Sequence, residues 1–292
     1  MCVASARAVA PDETAFDVLR ALRCSRSSGL PCLDAHLPNG RLGPTEVLVL
    51  LGEPGHAKRA LVQCLLATTL APTDAGGGKL PAVLIDADGN FDIGGMATLL
   101  SARLSKSSGA TDLVSRNSGL PLSGDAAVEE ALSRLLVLRP REPADLLRQL
   151  YDLREVFVSN PTASLLVVDS MSAWQSLTWP FPRSAAAVLR EAWRALENLQ
   201  REHCIAVVAT CTHPPPGPCG RRLAVVPLAP RMRPPSALAL GGEAIVPALD
   251  SETDAKRGVR ELRFVVVPHG DKISHQAAFA LSEFGDVVSV PA

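Results

Sequence analysis

Gly52, Gly55 and Lys58 stand at the spacing of a phosphate-binding loop, in the stretch GEPGHAKR that directly follows the apolar run EVLVLL (46–51). In such a loop a glycine is followed by four residues and then Gly-Lys-Ser/Thr. The glycines let backbone N–H groups close around a phosphate, the lysine reaches its outer oxygens, and the hydroxyl binds Mg²⁺. Here the frame is Gly52, Glu53, Pro54, Gly55, His56, Ala57, Lys58 and Arg59. Ala57 replaces the second framework glycine and Arg59 replaces the hydroxyl. The chemistry on offer is contact with the phosphates of ATP, centred on Lys58 and helped by the N-terminus of the helix that follows. The plainer alternative is a turn between a strand and a helix.

Two departures weaken the hydrolytic version of that chemistry. A guanidinium cannot ligate a metal, although it can contact phosphate oxygens directly. The lost hydroxyl normally holds the Mg²⁺ that neutralises the transferring phosphate. Ala57 also adds a Cβ where backbone must approach phosphate closely. Efficient turnover is not expected.

A loop of this kind needs a strand before it and a helix after it. EVLVLL supplies the first, and Leu61, Val62, Leu65 and Leu66 give a segment from about Lys58 to Leu70 a helical apolar stripe. AVLIDAD (82–88), LLVLRP (135–140), SLLVVDS (164–170) and IAVVATC (205–211) read as further strands. Helical patterns lie between them: Phe91 to Leu104, a segment with Leu146, Leu147, Leu150, Leu153 and Phe157 in phase, and Arg183 to Glu202. Continuously apolar strands alternating with helices indicate a parallel sheet covered on both faces. The polar residues Asp86, Asp88, Asp169 and Thr210 fall at the carboxyl ends of those strands, the edge at which open α/β sheets bind ligands.

Beyond Cys211 the chain is rich in Pro and Gly as far as about residue 258, a texture that predicts a long excursion rather than central strands. VRELRFVVVPHG and HQAAFALSEFGDVV then read as closing strands. Arg221, Arg222, Arg231 and Arg233 lie in a stretch without an acidic residue between His213 and Ala239. Such a stretch suits either a DNA-facing loop, which neutralises phosphates without reading sequence, or a solvated or partner-facing loop. No aromatic residue accompanies the arginines to stack on bases.

The 292 residues carry a formal net charge of −1, with 47 % hydrophobic and 20 % charged residues. This is a globular composition, without a global charge that draws nucleic acid. The seven cysteines contain no Cys-x-x-Cys pair, and neither a disulfide framework nor a zinc site is supported. No apolar run approaches the roughly 20 residues that span a bilayer, and MCVASARAVAPDET has no secretory apolar core. An intracellular protein without membrane contact is expected. Residues 1–27 form a short N-terminal segment with a helix from Glu13 to Arg23, and residues 28–292 form the core domain.

Several of these segments, in this order, resemble the RecA-type recombinases of eukaryotes and archaea and their paralogues. SGLPCLDAHLPNGRLGPTEVLVLLGEPGHAK is similar to the family's opening pattern, LLVVDSMSAW to its second ATPase motif, AVVATCTH to its sensor strand, and LRFVVVPHGDKISHQAAFALSEFGDV to its closing hairpin. The resemblance implies an α/β, RecA-like P-loop NTPase core, with a largely parallel central sheet flanked by helices and a C-terminal antiparallel hairpin. It makes Asp169 the acid that supports magnesium through water, against the alternative of a strand-end Asp that caps the next element. It places Asp88 where a catalytic Glu orients water and Thr212 where a Gln senses the γ-phosphate. It also aligns the arginine-rich stretch with a DNA loop, and Trp174 and Trp179 with another, burial being the commoner fate of Trp.

Arg59, Asp88 and Thr212 all depart from the family in the direction of weaker turnover. The expectation is therefore a recombinase-paralogue subunit of homologous-recombination repair, nuclear, joined to other paralogues and to single-stranded or branched DNA, with weak or absent ATP hydrolysis. Phe16, Leu19 and the sheet edge are the expected interface. The alternative is an active DNA-dependent ATPase using Lys58 and Asp169.

Overall fold

A computed structural model of the chain describes residues 25, 27–44, 47–53, 56–108, 124–174, 182–213, 221–227, 262–268, 278–281 and 287–290. The helix expected at Glu13 to Arg23, and Phe16 and Leu19 with it, lie outside the described residues, as do Pro54, Gly55, Trp179, Arg231 and Arg233.

The opening pattern folds into a small cap for the core. Asp34, at the end of the one-turn helix α1 (Pro31–Asp34), turns back on the segment before it. Its carboxylate accepts the Ser28 N–H at 2.9 Å and the Ser27 hydroxyl, while the Ser28 hydroxyl accepts the Leu30 N–H at 3.1 Å. Gly29 has φ +71°, and a Cβ there would sit 2.6 Å from Cγ2 of Thr68, so both conformation and space require glycine. This clasp turns Leu30, Cys32 and Leu33 inward, and all three are fully buried.

Strand β1 (Leu48–Leu51) leads through the suspect loop into α2 (His56–Leu70). Then follow β2 (Ala82–Asp86), α3 (Ile93–Ser108), α4 (Gly124–Leu132), β3 (Leu135–Leu138), α5 (Pro143–Ser159), β4 (Leu165–Asp169), α6 (Pro182–His203) and β5 (Ala206–Cys211). Four further strands close the chain: β6 (Arg221–Pro227), β7 (Leu262–Pro268), β8 (Ala278–Leu281) and β9 (Val287–Val290). All nine form one sheet in the order β3-β2-β4-β5-β1-β6-β7-β8-β9. Every pairing from β3 across to β6 is parallel, and every pairing from β6 to β9 is antiparallel.

The continuous apolar runs have a direct cause in this arrangement. Successive strand residues point to opposite faces, and both faces are covered. Leu48, Leu50, Leu84, Leu165, Val167 and Val208 face the core that contains α2, α3 and α4. Val49, Leu51, Val83, Ile85, Leu166, Val168 and Val207 face the core that contains α5 and α6. No polar alternation survives when both faces are dry. Trp174, 7 % exposed, belongs to the second core and donates its indole N–H to the Arg141 carbonyl at 3.3 Å, so burial is its fate.

The sequence expectation fails at β6. The Pro-rich region is not wholly an excursion from the sheet: Arg221–Pro227 is a strand between β1 and β7, with Leu48 opposite Arg221 and Val226 opposite Val265. The prolines lie outside this run except Pro227, which sits at the strand's last position, where a missing N–H is tolerated. Leu223 is 1 % exposed, inside the core that also holds Leu48 and Leu50.

Candidate phosphate site at the carboxyl edge of the sheet

The geometry starts from β1 and β5, which run side by side and end together with Leu51 opposite Cys211. One residue on, the Gly52 N–H donates to the Cys211 carbonyl at 3.1 Å, so the loop leaves the sheet while still tied to β5. Lys58, in the first turn of α2, reaches back under the loop. Its Nζ donates to the Cys211 carbonyl at 3.0 Å and to the Gly52 carbonyl. The residue is 7 % exposed. Desolvation lowers the pKa of its ammonium, while Asp169, Cys211, Asp88 and Glu53 act in the opposite direction.

Parallel strands β2 and β4 end in register, with Asp86 opposite Asp169. The Ala87 N–H donates to the Asp169 carbonyl at 2.8 Å, and the Asp88 N–H to the same oxygen at 3.3 Å. Three carboxylates are thus brought to one edge, yet they do different things. Asp86 is buried and organises the chain after it: its oxygens accept the N–H groups of Asn90 at 2.9 Å and Phe91 at 3.2 Å, and Nε of Arg139 at 3.1 Å. Asp169 Oδ1 accepts the hydroxyl of Thr210, a residue with no exposed surface. Asp88 stands at the exposed rim.

Charge links these groups to the loop. Burial pushes the Asp169 carboxyl above its ordinary range. The Thr210 hydroxyl and the Arg59 and Lys58 charges pull it down, and Asp86 pushes it further up. Desolvation also raises the Asp88 carboxyl, with Asp169 and Asp86 adding to the shift and Lys58 and Arg59 opposing it. Lys58 and Arg59 therefore serve as counter-charges to Asp169 and Asp88.

Past β4 the chain turns through a cis peptide between Asp169 and Ser170. The Ser170 hydroxyl accepts the Ser172 N–H at 3.0 Å, and the Ser172 hydroxyl accepts the Thr212 N–H at 2.9 Å. Thr212, the expected sensor position, is thereby held beside β4 by its backbone, and His213 next to it is exposed. The structure thus brings together Gly52, Lys58, Arg59, Asp88, Asp169 and Thr212. Ala57 is buried against the core and Glu53 is exposed; of His56 only its place as the first residue of α2 is described. Arg221 and Arg222 do not join the site. They open β6 opposite Leu48 and Val49, at the strand end away from the phosphate loop, and are strand residues rather than the loop expected.

Asp86 and Thr210 stand among the polar residues of this edge, and their roles depend on partners distant in sequence. Their partners, Arg139 and Asp169, lie 53 and 41 residues away. No local pattern encodes contacts at such separations.

No family model matches the chain. It is similar to the DNA repair protein XRCC2 of Mus musculus, with 27 % identity over 163 residues. That match covers 54 % of this chain and 53 % of the mouse protein, so the chain spans about half the length of the curated relative. Similarity and sheet architecture agree on an α/β, RecA-like core.

A phosphate fits. The first turn of α2 has no acidic residue and carries Lys58 and Arg59, and a helix N-terminus favours anions. Magnesium does not fit. Its hydroxyl ligand is replaced by a cation, both oxygens of Asp86 are engaged by backbone and Arg139, and Oδ1 of Asp169 accepts the Thr210 hydroxyl. Among the described residues no group of three or more His, Cys, Asp or Glu side chains is placed to hold a metal ion. Among the same residues, no helix is long and apolar enough to cross a membrane.

Proposed function

We propose that this chain serves homologous-recombination DNA repair in the nucleus as a recombinase-paralogue subunit, using its RecA-like core as an assembly scaffold rather than as an ATP-hydrolysing motor. The similarity to a mouse DNA repair protein supports the repair setting. The observation that carries the non-motor reading is the pairing of Lys58 with the Gly52 and Cys211 carbonyls beside an arginine in the hydroxyl position. A motor needs a metal and a positioned water. Here Arg59 stands in place of the metal's hydroxyl ligand and Asp88 in place of the Glu that orients water.

Two measurements test the reading. Phosphate release by the purified chain, with and without single-stranded DNA, is expected to stay at background and to be unchanged in Lys58→Ala. Affinity capture from nuclear extract, read out by mass spectrometry, is expected to recover other recombinase paralogues. DNA-stimulated release that Lys58→Ala abolishes would establish the rival reading, a DNA-dependent ATPase. Failure to capture any paralogue would remove the scaffold.

A further inference from the structure

The carboxyl edge of the sheet gathers three carboxylates but offers a divalent cation no complete ligand set. Both oxygens of Asp86 are engaged by Asn90, Phe91 and Arg139. Asp169 Oδ1 holds the Thr210 hydroxyl. The residue after the loop lysine, where a hydroxyl would complete the metal's shell, is Arg59. The positive charge that a metal would bring is nevertheless present, because Lys58 and Arg59 stand next to one another in the first turn of α2, where Lys58 is tied to the end of β5.

We propose that Arg59 is a fixed substitute for magnesium, so that this site takes a polyphosphate such as the triphosphate of ATP free of any divalent cation. This rests on the reading of GEPGHAKR as a phosphate loop. It goes beyond the scaffold role, which neither requires a ligand nor forbids one.

The chemistry favours the metal-free form for two reasons. An arginine presents five N–H donors in a planar fork that matches phosphate oxygens and keeps its charge at all accessible pH. A Mg²⁺ brought in with the phosphates would carry the same sign of charge as that guanidinium, and like charges repel more strongly where water is partly excluded. Arg59 and the metal therefore compete for the same oxygens. Lys58, a compact point charge, has two of its donors on the Gly52 and Cys211 carbonyls.

Calorimetric titration of the full chain with ATP, and separately with inorganic tripolyphosphate, in excess EDTA and in millimolar magnesium, tests the proposal. Binding in EDTA is expected to be at least as tight as in magnesium. Arg59→Thr, checked for folding by circular dichroism, is expected to lose about tenfold or more in EDTA and less in magnesium. Arg59→Lys should retain part of the metal-free affinity. Tightening of the unaltered chain by about tenfold or more in magnesium would overturn the proposal, as would an Arg59→Thr variant that binds as well in EDTA as the parent. Absence of binding in both buffers would overturn it too. Paralogue capture is measured independently, so a chain that captures its partners but binds neither probe sinks this inference and leaves the scaffold standing.

Discussion

The Lys58 ammonium donates to the Cys211 carbonyl at 3.0 Å across 153 residues of sequence. That bond joins the first turn of α2 to the last residue of β5, while the same carbonyl also holds the Gly52 N–H. Gly52, where the chain leaves β1, is therefore tied both to the end of β5 and to Lys58.

Replacing Lys58 by Met tests how much this closure contributes. The Gly52 carbonyl loses its side-chain donor, and an unmet buried acceptor costs on the order of 1–3 kcal/mol. Removing an ammonium whose burial is itself unfavourable offsets part of that loss. A net destabilisation of about 1 kcal/mol is expected by urea denaturation. Lys58→Arg should not rescue it, because a planar fork cannot take the place of a compact point charge beneath the loop. A variant as stable as the parent would show that the bond only follows the loop's shape.

Asp169 gives a pH-dependent outcome. Burial raises its carboxyl above the ordinary value, against the pull of Thr210 and Arg59, so the folded chain binds this proton more tightly than the unfolded chain. Stability from this group is then greatest in acid and falls as pH climbs from the ordinary carboxylate value through the raised one. Asp169→Asn keeps an acceptor for Thr210 and removes the charge. It is expected to stabilise the protein near neutral pH, with the gain vanishing at about pH 3, below the ordinary carboxylate value. Denaturation at both pH values measures the difference, and an equal gain at both would refute the assignment. Asp88 shifts in the same direction. Lys58 acts in the alkaline window, where its lowered pKa makes stability rise as pH climbs toward 10.5.

Asp86 and Arg139 form an ion pair of very unequal members, with side chains 2 % and 61 % exposed. Asp86→Ala strips acceptors from two backbone N–H groups and leaves a buried gap, a loss of about 3 kcal/mol or more. Arg139→Ala removes a largely solvated partner and should cost about 1 kcal/mol or less. Chemical denaturation of the two variants is expected to show that asymmetry. Equal losses would mean that the pair, rather than the backbone bonds, organises the turn after β2.

Much of the sheet was legible because burial on both faces leaves strands with little choice but Val, Leu, Ile and Ala. EVLVLL, AVLIDAD, SLLVVDS and IAVVATC declare themselves, and their polar ends mark the site. Arg221–Pro227 escaped because its short apolar run is surrounded by prolines that describe the flanks and not the strand. Gly124–Leu132 drew no expectation of a helix. At the site the sequence shows which side chains stand at the strand ends: Lys58 and Arg59 open the helix after β1, and Asp169 ends β4. What stayed hidden was their bonding. Lys58 holds carbonyls, Thr210 holds Asp169 and Asp86 holds a turn, because each bond joins segments far apart in sequence whose encounter only the sheet order determines.

The position of β6 bears on how this protein is made. Its pairing with β1 begins at Leu48 and Arg221, so during synthesis the strand before the phosphate loop waits for most of the chain to emerge before its second neighbour arrives. Until then β1 is an open edge, a surface prone to pairing with other chains. Contacts this distant in sequence also form slowly. The strand before the phosphate loop is thus translated well before the strand that covers its second edge, and a chain ending short of Arg221 would present that edge permanently to its neighbours.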